Sequence, residues 1–293
     1  MSTRLCLLTV HAHPDDEASK GPATVARYHA EGIHTVLVCC TGGEEGDILN
    51  PAMDTPEVRA DIGGVRQREL EASAALIGYD ELVMLGYRDS GMKDSAANAR
   101  PDCFAQAPLE EAVGRLVTVI RRQRPQVIVT YEDDQQGYPH PDHLRDHEIS
   151  LAAFDAAGDP SAFPEAGEAF APLKLYYVGW SAARVMAMHE KFVELGLESP
   201  FDEAWRERAS KMTRTYTTAI DISEYADVRR QALLAHATQV DPTSPFWFGL
   251  PPEVARTIHP VDEYILARSL VGPAGEGVVE DDLFAGVRDL AAR

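Results

Sequence analysis

Within seven residues, His11-Ala12-His13-Pro14-Asp15-Asp16-Glu17, the chain carries five side chains that can change charge. Carboxylates so crowded repel one another unless a cation gathers them, because like charges raise each other's pKa. A second cluster, Tyr138-Pro139-His140-Pro141-Asp142-His143, adds two imidazoles, with Gly137 and two prolines shaping the backbone that presents them. His13 and Asp16 from the first cluster, joined by His140 or His143 from the second, offer two imidazoles and one carboxylate. That is the donor set of a catalytic zinc that keeps one position open for water. A competing pair, His143 and His147, lies at i, i+4 on one helix face, but Leu144-Arg145-Asp146 lacks the glutamate that follows the first histidine in zinc proteases. His11 still belongs to the apolar run before it and reads as a hydrogen-bonded core histidine. Taken singly, each cluster also reads as a helix start, with Asp16 as cap in one and Asp142 near the N-terminus in the other. Those readings weaken when both clusters arrive at the same place in the fold.

Both clusters follow strands. Arg4 to His11 is an apolar run of strand length, and Ser19 to Glu31 has helical spacing with Gly32 as its stop. His34 to Thr41 repeats the strand signal; Gly42-Gly43 ends it, and a polar loop runs to about Pro56. A helix follows from Glu57 to Ile77, with Gly63-Gly64 as its weak point. Glu81 to Leu85 is a third strand, Leu109 to Gln123 a periodic helix, and Gln126 to Tyr131 a fourth strand entered through Pro125. A helix from about Asp142 to Ala157 comes next. Strands alternating with helices predict an α/β fold with a doubly wound, mostly parallel sheet. Ligands bind outside the carboxyl ends of such strands, so His11–Glu17, Gly42–Asn50, Gly86–Met92 and Glu132–His143 are expected to meet.

The stretch Gly158 to Pro172 is rich in Pro, Gly and small residues and reads as a connection. It divides a catalytic core, 1–157, from an elaborated C-terminal α/β extension, 158–293, that completes the substrate pocket. In the extension, Lys174–Trp180 and Arg214–Ile222 read as strands, Ala182–Leu195 and Ser223–Thr238 as helices, and Gly272 to Gly277 opens a loose tail.

Composition narrows the partners. With 27 Lys and Arg against 47 Asp and Glu, the net charge of -20 opposes a nucleic-acid backbone or an anionic membrane surface. The first apolar run, Leu5 to Val10, is too short for a signal-peptide core or a membrane span, so a cytoplasmic location is expected. Cys6, Cys39, Cys40 and Cys103 show no metal-binding spacing and read as buried reduced thiols. The glycine fingerprint of a dinucleotide site is missing where the first strand ends, which argues against a nucleotide-binding module.

Together, His13-Pro14-Asp15-Asp16-Glu17 and His140-Pro141-Asp142-His143 resemble the LmbE-like zinc deacetylases related to the GlcNAc-phosphatidylinositol de-N-acetylases (PIG-L). Thr41–Gly46, Arg66–Leu70, Arg88–Met92, Lys174–Val178 and Ala235–Gln239 extend the likeness over nearly the whole chain, towards the mycothiol branch. Lys20, Ile48–Asp54 and Tyr138-Pro139 point within it to the amidases of mycothiol S-conjugates. The resemblance implies a Rossmann-like sheet, one zinc per chain held by His13, Asp16 and His143, and Asp15 as general base. It also implies that Tyr138 and His140 contact the reacting carbonyl. In that reading Asp142 orients His140, which supplies positive charge or protonates the departing amine.

The substrate expected is a small molecule, an amide between glucosamine and the cysteinyl group of a mycothiol S-conjugate, and no oligomeric state follows. Arg66, Asp89, Asp47 and Glu45 are the candidates for its hydroxyl-rich half, Lys20 for its acyl half, and His236 and Gln239 for the C-terminal wall. Gln135-Gln136 and Asp47 depart from the pattern of the detoxifying amidases and leave room for trimming a mycothiol adduct in natural-product biosynthesis. The alternatives are the sister deacetylase acting on GlcNAc-inositol, a two-metal phosphoesterase, and a non-enzymatic metal- or nucleotide-binding module.

Overall fold

Strands that read as unbroken apolar runs must be buried on both faces, which requires a sheet covered by helices on each side. A computed structural model of the chain, describing residues 4–133, 135, 138–211, 214–272 and 278–291, has this form. Its first half contains β1 (Cys6–His11), α1 (Asp16–Ser19), α2 (Pro22–Ala30), β2 (His34–Thr41), α3 (Pro56–Ala60), α4 (Ile62–Ile77), β3 (Glu81–Tyr87), α5 (Leu109–Gln123), β4 (Val127–Thr130) and α6 (Pro141–Ala157). The second half adds β5 (Lys174–Val178), α7 (Ala182–Glu194), α8 (Glu203–Ser210), β6 (Thr218–Asp221), α9 (Ala226–Ala235), α10 (Pro245–Phe248), α11 (Pro252–Ala255), β7 (Val261–Ser269) and α12 (Arg288–Ala291). No described helix is long and apolar enough to cross a membrane.

The strands form one sheet in the order β3-β2-β1-β4-β5-β7-β6. The first five are mutually parallel, while β7 runs antiparallel to both β5 and β6. Because the chain leaves β1 towards β2 and β3 and then returns to place β4 on the other side of β1, strand order reverses between β1 and β4. Such a switch point opens a crevice at the carboxyl ends of the two strands. Alternation along β1 serves both faces: Cys6, Leu8 and Val10 enter the core beneath α5 and α6, while Leu7 enters the opposite core with Tyr28 and Leu233. Cys39 and Cys40 likewise fall into different core clusters, and all four cysteines are buried and free.

Several boundaries differ from expectation. The helix expected over Ser19–Glu31 begins only at Pro22, as α2, and is separated from the short α1 before it by Gly21 (φ +78°), where a Cβ would also lie 2.6 Å from the Tyr264 hydroxyl. The Glu57–Ile77 helix breaks at Asp61 rather than at its two glycines. Helix α8 and strand β7 were not anticipated. In β7 the apolar alternation is interrupted by the buried Asp262, which accepts from Arg184, Arg229 and Thr24.

The tail is not loose where it is described. Leu283, Phe284 and Val287 are buried in the second core, and Glu280 accepts from Lys174 Nζ at 2.9 and 3.0 Å. Of the stretch Gly272–Gly277, residues 273–277 are outside the described residues. The connection after α6 is anchored by the buried Arg121, whose guanidinium donates to the carbonyls of Ala157, Asp159, Ala162 and Phe163.

Candidate metal centre and its cleft

At the end of β1 the chain turns sharply enough to hold Asp15 at φ 111°, a conformation side chains rarely adopt and one that concentrates at functional sites. The turn is stitched from within: the His13 amide donates to Asp16 Oδ2 at 3.0 Å, and the Asp15 amide to Glu17 Oε2 at 2.9 Å. From the far side of the switch point, the loop after β4 delivers His140 as N-cap of α6 and His143 in its first turn.

His13 Nδ1 and His143 Nε2 each lie 3.4 Å from Asp16 Oδ2, all three residues being buried. Hydrogen bonds on the far side of each ring fix its tautomer. His143 Nδ1 faces Gln135 Oε1 at 3.1 Å, and His13 Nε2 faces Asp142 Oδ2 at 3.1 Å. Both outer nitrogens therefore carry a proton, and both inner nitrogens converge on Asp16. A histidine with a carboxylate behind it and a cation site before it is a recurring metal-ligand arrangement, so His13, Asp16 and His143 fit a divalent cation.

The surrounding carboxylates act on the charge of these rings. Burial opposes charge on His13, yet its contacts with Asp142, Asp16 and Asp89 hold its pKa well above the ordinary value. Burial lowers His143 to about 3 and lowers His140 as well, with His13 adding to the latter. Burial raises the pKa of Asp15, an effect that Arg66 opposes from 3.0 Å. Four carboxylates, Asp15, Asp16, Asp89 and Asp142, thus meet two full cations, Lys20 and Arg66.

A second grouping, His13, Asp89 and His140, also brings donor atoms together. It shares His13 with the first grouping. His13 Nε2 is bonded to Asp142, and His140 Nδ1 accepts the Asp142 amide at 3.2 Å.

The cleft over this centre has a volume of about 430 Å³ and is lined by the expected ligands together with Asp15, Tyr138, His140, Lys20, Arg66, Asp89, Asp47, Glu45 and Gln239. Some of these residues are engaged differently from expectation. Arg66 is buried, and its fork turns inward to the carbonyls of Gly43 and Pro14 and to Asp15. Lys20 is not in the first turn of a helix but closes α1, with Nζ 2.6 Å from Asp16 Oδ1. The Asp142 carboxylate faces His13 and Ser90, and only its backbone amide reaches the His140 ring. Asp89 accepts from the amides of Gly91 and Glu45, and Glu45 pairs with Arg88 at 2.6 Å. Tyr138 is 56% exposed, its hydroxyl donating to Met92 Sδ at 3.6 Å.

His236 is outside the cleft, fully buried against Glu17 at 2.6 Å, and Glu17 also accepts from Ser73. His147 turns to the Tyr131 carbonyl, and His11 lies within the core against the Tyr131 ring as expected, though neither of its ring nitrogens has the expected hydrogen-bond partner among the described residues. Gln136 and Gly137 lie outside the described residues. Sequence reasoning missed Ser90 and the pairing of Gln135 with His143. The former stood in the Arg88–Met92 stretch already expected at this edge, whereas the latter had no signal in spacing.

The chain has relatives among known proteins. Residues 8–154 match the family model described as PIG-L: GlcNAc-PI de-N-acetylase, and the chain belongs to that family. Over 99% of its length it is 43% identical to the whole of mycothiol S-conjugate amidase from Streptomyces coelicolor. Over 96% it is 39% identical to a 1D-myo-inositol 2-acetamido-2-deoxy-alpha-D-glucopyranoside deacetylase from Geodermatophilus obscurus, covering 97% of that protein. Its fold is similar to that of N,N'-diacetylchitobiose deacetylase from Pyrococcus horikoshii, with a TM-score of 0.61 at 15% identity, covering 89% of this chain and 83% of that one. The chain is a hydrolytic enzyme of the deacetylase and amidase class.

Proposed function

We propose that this enzyme is a zinc-dependent amidase that cleaves the bond between glucosamine and the cysteinyl group of mycothiol S-conjugates, with one zinc per chain held by His13, Asp16 and His143. The observation that carries the chemistry is the convergence of two imidazole nitrogens on Asp16, with the Asp15 carboxylate in the same cleft. When bound, zinc supplies Lewis acidity at the scissile carbonyl and lowers the pKa of water beside it.

The remaining work falls to side chains. Asp15 takes the proton of the attacking water, held in place by Arg66 Nη2 at 3.0 Å. Because His140 Nδ1 accepts the Asp142 amide, the ring proton is on Nε2. With its pKa lowered, His140 acts as a neutral hydrogen-bond donor to the carbonyl oxygen rather than as a source of positive charge. Asp15 then returns its proton to the departing amine. The Tyr138 hydroxyl provides a second donor as negative charge grows on oxygen, a role typically worth about 3 kcal/mol.

The amidase is preferred to the sister deacetylase because the identity is higher, 43% against 39%, and because Lys20 stands at the cleft wall where an acyl group longer than acetyl passes. Biologically, this serves detoxification or the trimming of a mycothiol adduct within a biosynthetic pathway. The test is a comparison of kcat/KM for a mycothiol S-conjugate and for GlcNAc-inositol on metal-loaded enzyme. Higher kcat/KM for the S-conjugate is expected, and preference for GlcNAc-inositol would assign the chain to the deacetylases.

A further inference from the structure

Beside the metal cleft lies a second cavity, of about 440 Å³, that the chemistry above leaves unused. Trp180, Val185, Trp205, Phe246 and Trp247 form its apolar wall. The two cavities share Lys20, Gln135 and Tyr138 as lining residues. Of these, Lys20 touches Asp16 and Gln135 touches His143, so the partition between the cavities is built against the metal ligands themselves.

We propose that this aromatic cavity is the acyl-side subsite, taking an apolar, ring-sized S-substituent of the conjugate. The proposal rests on the amidase reading and deepens it.

Two half-sites of opposite chemistry flank the scissile position. On one side Glu45, Asp47, Asp89 and Gln239 present polar atoms. On the other, Trp180 and Phe246 stack with centroids 5.7 Å apart and planes within 4°, and Trp247 meets Phe246 edge-on at 4.7 Å. Trp205 closes the group at 5.8 Å from Phe246.

An amide positioned at the metal must send its amine half one way and its acyl half the other. Sugar and inositol hydroxyls buried among Trp and Phe would lose their hydrogen bonds, so the amine half takes the polar arm and the acyl half the aromatic one. An acetyl group ends after one methyl and stays at the partition, whereas a cysteinyl group carries its thioether beyond it. The four aromatic rings are half-buried, as befits a cavity that a ligand fills rather than a closed core.

The wall is also registered to the metal site, because Trp180 Nε1 donates to the Ser19 carbonyl at 3.2 Å, in the helix that carries Asp16. Trp205 on α8 and Phe246 and Trp247 on α10 all lie beyond residues 8–154, the part matched by the family model.

The test measures kcat/KM for S-benzyl and S-methyl conjugates of mycothiol with the metal-loaded full chain and with Trp205→Ala and Phe246→Leu. The benzyl-to-methyl ratio within one preparation cancels the fraction of folded enzyme, and the milder Phe246→Leu covers the case in which Trp205→Ala does not fold. The wild type is expected to favour benzyl by about tenfold, near the lower end of what a filled apolar pocket contributes. Trp205→Ala should bring the ratio close to one and Phe246→Leu should lower it partway. A wild-type ratio near one, or a ratio that neither substitution moves, overturns the subsite. If the wild type deacetylates GlcNAc-inositol but cleaves neither conjugate, the amidase reading falls instead. The subsite is then decided by N-phenylacetyl against N-acetyl glucosaminyl-inositol with the same variants, where a ratio near one overturns it and a preference lost in Trp205→Ala upholds it.

Discussion

Buried charge is handled in opposite ways by the two halves of this chain. In the second half the buried charges among the described residues have counter-charges in the protein: Lys174 meets Glu280, and Asp262 meets Arg184 and Arg229. In the first half, at the switch point between β1 and β4, Asp15, Asp16, Asp89 and Asp142 outnumber Lys20 and Arg66, and the shortfall is made up by histidines. Burying an uncompensated carboxylate costs several kcal/mol. A local excess therefore marks a place where a cation belongs, and a neutral balance marks scaffold.

The sharpest way to break this contrast is to remove the groups assigned to the cation. His13→Ala, Asp16→Ala and His143→Ala are each expected to lose bound metal and nearly all activity, whereas His147→Ala, whose ring serves the Tyr131 carbonyl, should retain both. Elemental analysis of metal-loaded protein decides it, with about one divalent ion per chain expected in the wild type. Asp15→Asn should keep the metal and lower kcat by at least ~100-fold, as removal of a general base does. Near-normal turnover would dismiss Asp15. Glu17 would be a poor replacement, because His236 and Ser73 occupy its carboxylate away from the cleft.

The scaffold side is tested by Glu280→Ala, which strands the fully buried Lys174 ammonium. Removing one partner of such a pair typically costs 3–5 kcal/mol, while replacing both by apolar residues of similar volume is often close to neutral. Denaturant unfolding should show a large loss for Glu280→Ala and substantial recovery when Lys174→Met is added, with normal metal content in the folded fraction of both. Equal damage from the single and the double variant would mean that the ion pair itself, and not the stranded charge, sets the stability.

The first half was the more legible for a physical reason. Its candidate ligands fall in two short, dense clusters, and its strands are apolar throughout because helices cover both faces. Helix α5 was expected with the bounds it has, since Ala112, Val113, Leu116, Val117 and Ile120 recur at helical spacing. The pairs that finish the site were invisible: Asp142 with His13, Gln135 with His143 and Arg66 with Asp15 depend on how the loops close, and no spacing encodes that. Strand β7 was hidden for the same reason, because Asp262 looks like a solvent-facing residue until Arg184 and Arg229 arrive from elsewhere in the chain.

Asp142 offers a finer probe, since its carboxylate supports a ligand without touching the cation. Asp142→Ala is expected to weaken metal affinity by about 10- to 100-fold, the usual effect of losing such a partner. Competition with a chelator measures it. Asp142→Asn should recover much of the loss only if its amide oxygen still accepts from His13 Nε2. Unchanged affinity in Asp142→Ala would reduce the residue to its bond with Ser90.

The smallest expected effect is at Lys20, the residue that lies on the boundary between polar cleft and aromatic cavity. Its ammonium touches Asp16 Oδ1 at 2.6 Å and lies 5.1 Å from the centroid of the Tyr131 ring, so it has two separable consequences. As a cation beside a metal ligand it repels a divalent ion, and Lys20→Ser should therefore bind metal slightly more tightly than the wild type. As part of the wall that the acyl group passes, it favours S-conjugates over the acetyl substrate, and its loss should erode that ratio by about 1 kcal/mol, or roughly fivefold, as for a partly exposed charged contact. Kinetics with both substrates, alongside chelator competition, separates the two. If metal affinity rises while the substrate ratio is unchanged, Lys20 only balances the charge of Asp16, and selectivity for the longer acyl group has to come from the aromatic wall alone.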